Sequence, residues 1–129
     1  MAITFPSVNY SEWSETCDTL HAFTQILGKL AVRLAPPEPQ LQHAALRLTS
    51  RGWETNPLPA PDGSGSMTVI IDLQTHEAVV EHSNGLGDRV PLYPDTSVAD
   101  VTKGLVAIVS SLGGDVEIAT DPQEVPWTV

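Results

Sequence analysis

Cysteine is nearly absent from this chain. Cys17 is the only one, which excludes an intramolecular disulfide and any Cys-rich metal centre. Basic residues are scarce too: six Lys and Arg stand against sixteen Asp and Glu, for a formal net charge of −10. So few cations cannot follow a phosphate backbone, and no nucleic-acid partner is expected. The acids are scattered from Glu12 to Glu124, not massed as in a nucleic-acid mimic. No apolar run approaches the roughly 20 residues that a membrane-spanning helix needs, so no membrane partner is expected. The opening "MAITFPSVNYSEWSE" lacks the basic n-region and apolar h-region of a secretory signal. The expectation is a soluble cytoplasmic protein without a cofactor.

With 41% hydrophobic and 17% charged residues over 129 positions, the composition is that of one globular domain. Residues 1–10 read as an extended arm and 121–129 as a C-terminal tail. Between them, Ser11 or Ser14 is placed to cap a first helix, with Glu12 and Glu15 suited to its positive end. At about 100° per residue, Trp13, Leu20, Phe23, Ile26, Leu27, Leu30, Ala31 and Leu34 share one broad face. "APPEP" must end that helix.

"HAALRLTSRGWE" (43–54) alternates as a strand, with Leu46 and Leu48 on one side and His43, Arg47 and Arg51 on the other. "NPLPAPDGSGSM" reads as a flexible connection. "MTVIIDLQ" and "AVVEHS" read as a hairpin turning around Thr75, His76 and Glu77, and "NGLGD" leads into "RVPLY". A second helix follows, with Ser97 and Asp100 as a capping box and Gly113 as its C′ stop. "DVEIA" is a last strand. The expected fold is α+β, in the order α-β-β-β-β-α-β. An antiparallel sheet of about five strands carries two helices on one face.

Candidate chemistry starts with a polar ladder on the first helix. Asp18 and His21 are an i,i+3 pair, and His21, Gln25 and Lys29 are successive i,i+4 neighbours. A border histidine beside a carboxylate suits general acid or base work near neutral pH; the same four residues also describe the wet edge of an amphipathic helix. Lys29, Arg33, Arg47 and Arg51 form a local positive island in which Glu38 is the sole acid. An anion would use it, or the protein's own carboxylates would. His43 and Arg51 on one strand face are able to grip a carboxylate or phosphate. His76 and His82, with Asp72 or Glu81, match no metal-ligand spacing and read as surface hairpin residues, so no metal is expected. Cys17 lies among acids with no nearby cation, surroundings that disfavour a reactive thiolate.

The series "W..T.DTLHAFTQILGKL…LAPP…H…L.LT.RGWETNPLP", from Trp13 to Pro59, resembles an uncharacterised bacterial family, domain of unknown function 5996. "SVAD" before the second helix, "DVEI" after it and the tail Glu124, Val125 and Pro126 also match. The likeness covers nearly the whole chain, although family members run to roughly twice this length, so that it resembles their N-terminal half. The resemblance singles out His21, Gln25, Lys29, His43 and Arg51. The chain departs from it at Glu38–Gln42 and at Arg47, where the family has a His- and Trp-rich stretch and an aromatic. No activity comes with the name.

Two functions are expected from these readings. In one, the domain binds a small anionic ligand beside the first helix. His21 is the candidate acid or base held by Asp18, Gln25 orients the ligand, and Lys29, His43 and Arg51 bind it. In the other, the domain is a non-catalytic interaction subunit. Its first helix and an apolar tail, Val125, Trp127 and Val129, then meet a second copy or a partner protein.

Overall fold

The computed structural model describes residue 4 and residues 6–118, the side chain of Leu41 excepted. Helix α1 runs Tyr10–Leu34, starting just before the earlier of the two expected serine caps. Asn9 occupies the N-cap without a side-chain bond. An aromatic pair holds the first turn instead: the Tyr10 and Trp13 rings meet edge to face with centroids 6.2 Å apart. At the far end Ala35 donates its N–H to the Ala31 carbonyl at 2.8 Å. Ala35 then turns extended, as a residue before proline favours.

The single strand expected over 43–54 is two different things. Pro39–Ala44 is a 3₁₀ segment that includes His43. Strands β1 (Leu46–Leu48) and β2 (Gly52–Thr55) then form an antiparallel hairpin, with Leu46 opposite Thr55 and Leu48 opposite Trp53. Its tight turn is closed by backbone bonds in both directions between Thr49 and Gly52, at 2.8 and 3.2 Å. Gly52 has φ +142, and a Cβ there would stand 2.2 Å from the Ile71 carbonyl oxygen. Only glycine fits that approach.

The "flexible connection" is also ordered. β3 (Leu58–Pro59) pairs with the start of β4 (Ser66–Asp72), around a turn in which Ala60 N–H reaches Gly65 O at 2.8 Å. Between β2 and β3 the ladder skips a residue, and the Thr55 hydroxyl accepts the Val69 N–H at 3.1 Å in place of a carbonyl. β5 (Glu77–His82) and β6 (Gly87–Pro91) complete an antiparallel sheet of six strands, ordered β1-β2-β4-β5-β6 with β3 beside β4. Helix α2, Val98–Gly113, begins at the expected cap, with Ser97 Oγ accepting the Asp100 N–H at 3.0 Å. It stops one residue later than expected, at Gly114, which carries the positive φ of 107°. The described part of "DVEIA", residues 115–118, is not in a strand. Val116 is buried against the core and Ile118 packs on it, while Ala119 lies outside the described residues.

The architecture is α+β, with both helices on one face of an antiparallel sheet. Phe23, Leu27 and Leu30 of α1 and Val101, Leu105 and Val109 of α2 share one core with Met67, Val69, Ile71, Ala78 and Val80. The alternate positions, Ile70, Val79, Glu54 and Arg89, lie on the helix-free face. No helix among the described residues is long and apolar enough to cross a membrane.

Candidate functional site: a recess beside the first helix

The β1–β2 hairpin sits at the sheet edge and carries only three residue pairs. The N-terminal half of α1 overhangs it, and an open recess of 410 Å³ remains between them. Trp13, Cys17, Leu20, His21 and Thr24 line it from the helix, Leu46 and Trp53 from the hairpin. The helical spacing of the first five puts them on one stripe. Trp13, expected in the core, is 39% exposed and lies at this recess. The Thr24 hydroxyl donates to the His21 carbonyl at 2.7 Å, leaving its lone pairs to the recess. His21 is exposed on the rim.

Over residues 5–129 the sequence matches a family described as "Family of unknown function (DUF5996)". The chain belongs to that family. The match takes in essentially the whole chain, so the likeness is not confined to an N-terminal half. No curated protein and no solved structure matches.

This DUF5996 chain separates the residues that the sequence grouped. His21 reaches the recess; Gln25 and Lys29 follow one and two turns along α1 and are not part of its lining. His21, Gln25 and Lys29 each have an interaction partner, and Asp18 is half-buried. His43 does not share a strand face with the arginines. It is buried in the 3₁₀ segment, where its Nδ1 accepts the Glu38 N–H at 3.1 Å and ties down the chain after the prolines.

Arg51 occupies the hairpin turn. Its Nη2 lies 3.1 Å from both Glu54 Oε1 and Glu81 Oε1, on the helix-free face. Since Glu54 belongs to β2 and Glu81 to β5, the guanidinium bridges over the intervening β4. These carboxylates, Glu81 first, raise the Arg51 pKa further above its already high value. Glu54 is held below the usual carboxylate range, first by the Thr49 hydroxyl bond and then by Arg51, against the opposing effect of burial. Arg47 stands opposite Glu54 and adds to that field. Arg47 and Arg51 of the positive island thus serve the protein's own acids.

Two further arrangements escape sequence reading. A wider cleft of 720 Å³ lies on the other flank of α1, with Leu20 as the shared wall. Its polar groups are engaged locally. Thr19 Oγ1 donates to Glu15 O, Thr96 Oγ1 accepts the Tyr93 N–H, and Asp72 Oδ1 accepts N–H groups from Gln74 and Thr75. The last bonds, Thr75 first, hold Asp72 below the usual range. His76 lines the same cleft, exposed and with φ of 57°.

His82 is not a surface residue but 5% exposed, and its Nε2 lies 2.8 Å from Ser64 Oγ, with Asp62 beyond. The set resembles a hydrolase triad but has the reverse polarity. His82 Nδ1 accepts the Asn84 N–H at 3.0 Å, so the neutral ring carries its proton on Nε2 and donates to Ser64 instead of activating it. Gly65 permits this closure: a Cβ there would lie 2.3 Å from Ser83 Oγ. The cluster staples two turns together. Among the described residues, no group of three or more His, Cys, Asp or Glu is placed to hold a metal ion.

Proposed function

We propose that the domain is a binding module whose ligand enters the recess beside α1. The ligand's apolar body would lie between Trp13 and Trp53, over Leu20 and Leu46, with a polar contact at His21. The pairing of two indoles with one exposed imidazole in a single recess carries this reading. Its volume falls in the range of small-ligand sites, which are mostly apolar with a few placed polar groups. Of the expected site residues, His21 retains a ligand-contact role, with Asp18 one turn before it. Gln25 and Lys29 would meet only a ligand long enough to run up the helix. Arg51 and His43 have structural work elsewhere.

Titrating ¹⁵N-labelled protein with indole, benzoate and choline tests this. Shifts confined to the indole N–H signals of Trp13 and Trp53 and to the His21 ring, abolished by Trp53→Ala in a folded variant, are the expected result. No response to any of the three probes would overturn it.

A second reading rests on a different observation. Tyr10 touches Trp13, Trp13 and Trp53 share the recess, and Trp53 pairs with Leu48, which is 76% exposed. This apolar strip crosses the sheet edge and suits a partner protein or a second copy. The tail residues Val125, Trp127 and Val129, expected to take part, lie outside the described residues. Sedimentation of Leu48→Ser against the parent chain separates the two readings. An interface at the strip predicts dissociation of an assembly, and the ligand reading predicts no change.

A further inference from the structure

We infer that the recess selects an organic cation, specifically an alkylated ammonium group. This rests on the recess being a ligand site. An anion would need a lysine or arginine at hand, and neither is in the lining, whose N–H groups are those of the two indoles and one imidazole. From Tyr10 to Gly28 helix α1 has no lysine or arginine, while Glu12, Glu15 and Asp18 occupy the same turns as Trp13, Cys17 and His21. Arg47, next to Leu46 in sequence, points to the opposite sheet face, and Arg51 is held there by two carboxylates. The chain as a whole carries a formal charge of −10. The field at the recess therefore favours positive charge.

The lining adds a reason of its own. Two indoles border the recess, and the Tyr10 ring abuts one of them at 6.2 Å. Aromatic faces attract cations, tryptophan most strongly. A bare ammonium leaving water would lose hydrogen bonds that a lining of mostly apolar and aromatic side chains is poorly equipped to replace. A trimethylated ammonium has no N–H to satisfy and presents a methyl surface to the rings. The chemistry therefore points to a quaternary or fully methylated ammonium, whether on a small metabolite or on a modified lysine.

Choline and its neutral isostere 3,3-dimethylbutan-1-ol share a shape and differ in charge, so the pair tests the inference at pH 8 on the full chain by tryptophan fluorescence. Choline should bind at least tenfold more tightly, an affinity ratio within reach of cation–π contacts in a partly dry site. Trp53→Leu should abolish the difference, and Trp53→Phe, the safer variant for folding, should reduce it. Glu12→Gln should weaken choline about twofold, as loss of one screened charge does, and leave the alcohol unchanged. Equal binding of choline and the alcohol, or tighter binding of benzoate, would overturn the cation inference while leaving the ligand site intact. Silence from choline, alcohol, indole and benzoate together would overturn both. If a trimethyllysine peptide binds more tightly than choline, the source is a protein; if it binds more weakly, the source is a free metabolite.

Discussion

Thr55→Val is the sharpest test of how the sheet is held together. Thr55 is fully buried, and its hydroxyl accepts the N–H of Val69, itself fully buried, where the ladder is interrupted. Valine keeps the shape and removes the acceptor, stranding the Val69 N–H. An unsatisfied buried donor costs about 1–3 kcal/mol, whereas a lost hydrogen bond with both groups resolvated costs about 1. Both groups are fully buried, so the upper part of that range applies. Taking about 2 kcal/mol and a urea m-value of about 1.5 kcal/mol per M, the midpoint should fall by about 1.3 M with m unchanged. Thr55→Ser is the counterpart. It keeps the acceptor and deletes one methyl, for about 1 kcal/mol. The order parent, then Ser, then Val is therefore expected in urea denaturation. A valine variant within about 0.5 kcal/mol of the parent, inside the usual scatter of neutral substitutions, would refute the claim that this hydroxyl substitutes for a backbone carbonyl.

Three further outcomes follow from residues already placed. Glu54 has its folded pKa depressed below the ordinary 4.5, so the folded state binds its proton less readily than the unfolded one. Its stabilisation is therefore present above pH 4.5 and is lost as pH falls through the folded pKa. Glu54→Gln should flatten the acid limb of a stability–pH curve, and an unaltered limb would count against the Thr49–Glu54–Arg51 network. Gly52→Ala would force a Cβ to within 2.2 Å of Ile71 O at φ +142. A loss of about 3 kcal/mol or more is expected from the strained backbone and the clash together, read by thermal unfolding. Ser97→Ala removes the cap on Asp100 N–H and should cost about 1 kcal/mol. Faster amide exchange should be confined to the first turn of α2.

Elements with strong local signals were legible from sequence. The 3.6-residue stripe of α1, the Ser97 cap of α2 and the alternation through Met67, Val69 and Ile71 each specify their structure within a few residues. The Thr49–Gly52 turn was not. The apolar alternation at Leu46 and Leu48 reads straight on through it, and "TSRG" carries no Asn-Gly or Asp-Gly signal. What makes Gly52 necessary is a carbonyl on another strand, and no local window contains that. His43 was misplaced for another reason: the strand reading ran upstream into Pro39–Ala44, which is a 3₁₀ segment, whereas Arg51 does share the helix-free face with Arg47. At the recess, His21 stood out as a border residue of the helix. Trp53 could not, since its meeting with Trp13 depends on the hairpin. Ser64 and His82 meet across two turns whose sequences, one a Gly-Ser run, advertise nothing.

The order of strands has a consequence for how the chain is made. Every strand pairing is between strands adjacent in the chain or, for β2 and β4, separated only by the short strand β3, so the sheet can zip up from local contacts. Helix α1 is different: it comes first in the chain, yet its apolar face is covered by β4 and α2, which come much later. During synthesis that face leaves with nothing to lie on, and its burial waits on the strands behind it. The interval in which Phe23, Leu27 and Leu30 stand open to solvent is the moment when this molecule is most exposed to self-association. The first helix to be built is among the last pieces to be sheltered.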